Sequence, residues 1–154
     1  MKIFISSLNV PIGYTTPDFP SIYWPLGEHR PEFSQSMLYY GRDVWRFTIQ
    51  WYIILFCGVY SVTGLYMFVN YCVANYHSKT PSKYFVFRGV LIFVSYAFTS
   101  TMMAVISGSV VGLLTSAIYK AGSMTMSTWI PFTWAVLGVM YDICTSYSTS
   151  SVTL

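Results

Sequence analysis

Three stretches of this chain contain no Asp, Glu, Lys or Arg: Phe47–Ser78, Gly89–Tyr119 and Ala121–Tyr141. Each reaches the roughly 20 helical residues that cross a hydrocarbon layer of about 30 Å at 1.5 Å per residue. A water-soluble domain must cover its surface with charge, whereas 8% of these 154 residues are charged and 55% are apolar; an ordinary globular domain is about 25% charged. The expectation is an all-α polytopic membrane protein, a bundle of three transmembrane helices near 45–71, 90–117 and 128–147. A Pro- and aromatic-rich irregular segment (1–43) precedes this membrane domain (44–147), and a Ser/Thr-rich tail (148–154) follows it.

The N-terminal segment carries Pro11, Pro17, Pro20, Pro25 and Pro31, each removing a backbone donor and fixing φ, so no long helix fits there. Its Tyr14, Phe19, Tyr23, Trp24 and Phe33 suit a membrane interface or a partner, or else belong to a loosely ordered tail. The opening "MKIFISSLNV" is broken by Ser6, Ser7 and Asn9, which makes a poor signal-peptide core; the first span is expected to serve as targeting signal. Pro81 separates the first two spans, Gly122 suits a helix C-cap, and Ser127-Thr128 with Pro131 suit a helix start. As continuous helix the second uncharged run would exceed the bilayer, so it must tilt, kink or protrude. Basic residues near the membrane number four on one side (Arg30, Arg42, Arg46, Lys120) and three on the other (Lys79, Lys83, Arg88), which leaves orientation open.

Small residues recur at every fourth position of the second span: Ala104, Gly108, Gly112 and Ser116. Residues four apart share a helix face. Within lipid, helices associate where small residues let backbones approach or polar groups bond across, because apolar side chains gain nothing by exchanging one apolar neighbour for another. This ladder is expected to be a helix-packing face against span one or three, a docking face for a second protein, or a lipid groove. Asp142 is the lone acid of the second half of the chain, interfacial if the last helix ends near Ile143 and intramembrane if it continues, in which case it needs a partner. Lys79, Lys83 and Arg88 form an acid-free loop that could hold anionic lipid headgroups or simply set topology. Cys57, Cys72 and Cys144 show no metal-ligand spacing and read as inert thiols. His29 and His77 stand apart in sequence, no nucleophile elbow, zinc motif or phosphate loop occurs, and three spans without an inverted repeat enclose no aqueous path. Neither catalytic residue, cofactor nor metal is expected, and neither nucleic acid nor a small-molecule substrate.

Three segments in order carry a resemblance: "NYHSKTPSKYFVFRG", "GLLTSAIYKAG" (Gly112–Gly122) and "IPFTWAVLG" (Ile130–Gly138). Together they resemble the transmembrane protein 170 family over roughly Trp45 to Tyr147, with the segment before Tyr119-Lys120 a few residues shorter than the family pattern. The first 40 residues carry no part of it. The resemblance implies a small three-span protein of the endoplasmic reticulum and nuclear envelope, lumenal at its N-terminus and cytosolic at its first loop, which organises membranes through helix packing and contacts with lipids and proteins. A second expectation is an accessory membrane subunit that anchors a large, bridge-like lipid-transfer protein. The expected partners are membrane lipids and other integral membrane proteins or that lipid-transfer protein.

Overall fold

A computed structural model of the chain describes residues 10, 12–22, 37–77 and 84–152. Three helices dominate it: α1 (Gly41–Tyr76), α2 (Phe85–Ala121) and α3 (Trp129–Val152). Two short strands, β1 (Met37–Leu38) and β2 (Met126–Ser127), pair antiparallel with Met37 opposite Ser127 and Leu38 opposite Met126. α1 and α2 overrun the expected spans at both ends, whereas α3 starts one residue inside its expected span and overruns it at the C-terminal end. At 36 and 37 residues, α1 and α2 are roughly 55 Å long, because their terminal turns continue past the first charged residues rather than stopping at them. Both are long and apolar enough to cross a membrane.

α1 is the axis of the molecule. α2 lies antiparallel along it, α3 packs against its first half, and α2 and α3 hardly touch each other. The division of labour follows side-chain size. α1 buries large residues (Phe47, Trp51, Tyr52, Phe56), whereas α2 buries Gly89, Ser100, Ala104, Gly108, Gly112 and Thr115, mostly at intervals of four. Large side chains of one helix thus enter a furrow of small ones on the other, the packing expected where close backbone approach is the main source of association. Outward, α2 presents Val90, Leu91, Val94, Phe98, Ile106 and Leu113, each about half exposed or more, an apolar surface far wider than water-soluble monomers tolerate.

Around the start of α1 a second cluster forms from Leu38, Val44, Phe47 and Met126, so the β1–β2 pair joins the chain ahead of α1 to the α2–α3 loop. Residues 12–22 fold over this end. Phe19 sits with its ring 5.6 Å from that of Phe47 and 5.0 Å from that of Trp51, and Tyr14 donates a hydrogen bond to the Met37 carbonyl at 2.9 Å. Tyr23, Trp24 and Phe33 lie outside the described residues. The α2–α3 turn ends α2 with paired backbone bonds, Ser123 N–H to the Lys120 carbonyl (3.2 Å) and Met124 N–H to the Tyr119 carbonyl (3.1 Å), the Schellman pattern. Gly122 is the last, right-handed residue of this cap, and the left-handed position falls on Ser123, at φ 49°. Ser127 accepts the Trp129 N–H through its side chain at 3.4 Å and Pro131 lies in the first turn of α3, fully buried.

Candidate functional site

The α2 ladder lies against α1. A Cβ placed at Gly108 would be 3.0 Å from the Cβ of Tyr52 and 3.3 Å from the backbone of Ile49; one at Gly112 would be 3.0 Å from the ring of Trp45 and 3.4 Å from Thr48. Ala104 is fully buried between them and Trp51, Tyr52 and Phe56, while Ser116, half-buried, faces the first residue of α1, Gly41. The fourfold spacing extends one step further back, to Ser100, which is also fully buried. This face is covered by the chain's own first helix.

Tyr52 ties the three helices together. Its phenol reaches across to α3 and donates to the Trp134 carbonyl at 3.1 Å. Gly138 leaves the room: a Cβ there would be 2.8 Å from the Tyr52 ring and 2.9 Å from its hydroxyl. Tyr52 therefore stands between a glycine of α2 and a glycine of α3, 2% exposed.

Two turns further along α1, Tyr60 donates a hydrogen bond to Asp142 Oδ2 at 2.8 Å. The helix holding Asp142 continues to Val152, so the acid lies well inside it rather than at its end. Depth follows from the rise per residue. Tyr60 is fourteen positions beyond Arg46 on α1, about 21 Å. On α2, Thr101, whose hydroxyl meets Cys57 of α1 at 3.9 Å, is thirteen positions from Arg88, about 20 Å. Asp142 and Tyr60 thus sit near the middle of the uncharged zone.

Because α2 and α3 both rest on α1 and hardly touch each other, a cleft remains between them. It encloses about 630 Å³ and is lined mainly by apolar side chains, with Tyr52 and Phe56 as its floor, Ile106 and Val110 on one wall, Leu137 on the other, and Asp142 at one end. An apolar cleft with one carboxylate has room for an apolar chain or another helix, and for a donor to the acid. The sequence pointed to Asp142. It did not point to Tyr52 or Tyr60, because tyrosine spacing within α1 carries no sign of which partner helix each will meet.

Of the basic loop, Arg88 is exposed on the first turn of α2, and Lys79 and Lys83 lie outside the described residues. Cys57 and Cys72 are half-buried and Cys144 is exposed, all as free thiols. At the other end of the helices Tyr14 packs edge-on against Tyr39, ring centroids 4.6 Å apart. Burial pushes the Tyr14 phenol up to about 12; a hydrogen bond with the Tyr39 backbone opposes this, and the nearby Asp43 carboxylate adds to it.

A family model described as Transmembrane protein 170A/B-like matches residues 37–154, from β1 through α3. The protein of Saccharomyces cerevisiae (strain ATCC 204508 / S288c) named Uncharacterized protein YPR153W is 34% identical over 148 residues, spanning 96% of this chain and 96% of that one. An alignment of that length reaches into the N-terminal segment, which carries none of the three resembling stretches. No solved structure matches.

Proposed function

This chain belongs to the Transmembrane protein 170A/B-like family, and from that premise we propose that it is a three-span integral membrane protein that works through contacts rather than catalysis. α3 is the third span, its lower apolarity offset by the face it turns to α1. The compartment is the endoplasmic reticulum and nuclear envelope, with the N-terminus lumenal and the α1–α2 connection cytosolic. The single observation that carries the contact reading is the α2–α3 cleft: an apolar trough open to the bilayer, floored by α1, with a carboxylate at mid-depth that Tyr60 satisfies at one oxygen. A polar group held in hydrocarbon is expensive and is kept where it serves a partner or a path.

The same cleft favours a second reading, an accessory subunit that anchors a lipid-transfer protein by receiving one of its transmembrane helices. The ladder does not serve that role, since α1 already fills it. Purification of the full chain in gentle detergent, with mass spectrometry of co-eluting proteins and lipids, tests both. The subunit reading expects a large stoichiometric partner that Leu137→Trp, which fills the cleft from an exposed position, releases while the chain stays inserted. The organiser reading expects altered membrane morphology on deletion and no obligate partner. If Leu137→Trp changes neither the co-eluting set nor the morphology, the cleft is not the contact site.

A further inference from the structure

A second cavity, about 1020 Å³, opens at the opposite side of the α1–α2 pair from Arg88, between the start of α1 and the end of α2. Its walls are apolar, with Leu38 and Trp45 on one side, Leu113 and Leu114 on the other, and Met124 and Met126 of the connecting turn closing one end. Two cations share this lining, Arg42 and Lys120, both exposed and neither paired among the described residues. The nearest acid in sequence, Asp43, does not line the cavity. Gly41 and Arg42 also line the cavity and open a 36-residue helix that has no side-chain cap, so the free N–H groups of that helix start add partial positive charge.

Depth decides what fits. Lys120 closes the uncharged run of α2 and Arg46 closes that of α1, so this cavity straddles the boundary between hydrocarbon and headgroups. Leu113 and Leu114, 59% and 60% exposed, lead from the cations into the apolar zone. We propose that this cavity is a binding site for one anionic glycerophospholipid, its phosphate between Arg42 and Lys120 and an acyl chain along Leu113 and Leu114. Charge complementarity selects an anionic lipid over a zwitterionic one, and the apolar wall selects a lipid over a free phosphate.

The inference rests on α1 and α2 crossing a bilayer, and the test separates the two. The full-length protein is reconstituted into phosphatidylcholine vesicles containing a trace of spin-labelled phosphatidylserine or, in parallel, spin-labelled phosphatidylcholine, and the motionally restricted fraction of each label is measured. The expected result is stronger restriction of phosphatidylserine, falling by at least roughly fivefold in relative affinity, the weight of one cation near an anionic surface, when Arg42→Gln and Lys120→Gln are combined. Arg88→Gln leaves it unchanged, and Leu114→Trp lowers it by filling the groove. Lys120→Gln alone, at an exposed helix end, serves if the double variant does not insert. Restriction of neither label means the helices are not in the bilayer; equal restriction of both, or selectivity that survives loss of both cations, overturns the site. Displacement of the label by millimolar inorganic phosphate overturns the acyl-chain half of the proposal.

Discussion

Tyr52 sets how near three helices can come, and it does so because two of its neighbours have no side chain. Gly138→Ala is predicted to destabilise the protein by about 1–3 kcal/mol, since the new methyl meets a ring that Gly108 and the Trp134 carbonyl hold in place. Gly58→Ala, where a Cβ would meet nothing within 4 Å, is predicted to be neutral or to stabilise by up to about 1 kcal/mol through helix propensity. Thermal unfolding in one detergent distinguishes them: a Tm lowered by the first and not by the second. The Tyr60–Asp142 bond is predicted to show a coupling of about 0.5–2 kcal/mol in a double-mutant cycle with Tyr60→Phe and Asp142→Leu, the range for hydrogen bonds between membrane helices. Asp142→Asn keeps an acceptor and should lose less than Asp142→Leu. Of these residues, Gly108 and Asp142 stand out in the sequence because glycine and carboxylate are costly in an apolar helix. The two tyrosines do not, because an aromatic is ordinary there and its partner lies on another helix.

The charge-free runs mark all three helices, because charge is what hydrocarbon excludes most strongly. They do not mark the ends, since a helix continues into water for as long as its backbone bonds and neighbours support it; α1 starts at Gly41, six residues before its run, and α2 passes Lys120. The β1–β2 pair was invisible for a different reason: two residues a side are too few to show a twofold period. The element most open to chemical test is the segment 12–22 lying over the start of α1. Tyr14 holds it through a bond that only the protonated phenol can donate. Its pKa is raised from 10.0 to about 12, so the folded arrangement binds the proton more tightly than the released chain. The attachment is thus fully present below about pH 10 and is lost as pH rises through about 12. Limited proteolysis within residues 12–22 is predicted to accelerate across that window, and Tyr14→Phe is predicted to raise cleavage already at neutral pH.

For the molecule as a whole, a hairpin of α1 and α2 with α3 leaning on α1 puts the α1–α2 connection and the α2–α3 turn at opposite ends. Single-cysteine variants at Lys79 and Met124, in a background without Cys57, Cys72 and Cys144, are predicted to react with a membrane-impermeant thiol reagent from opposite faces of sealed vesicles. Labelling of both from one face would exclude the span arrangement proposed above. The strand pair adds a constraint in time. Met37 meets Ser127, so the residues just ahead of the first helix wait, during synthesis, for some ninety further residues before their partner exists. The hairpin can close early from its own contacts, while β1 stays unpaired until the chain has been made as far as Ser127. The order of assembly is thereby written into two residue pairs, and a ribosome-bound chain stopped short of Met126 should leave Met37–Leu38 open to protease in a way that the finished chain does not.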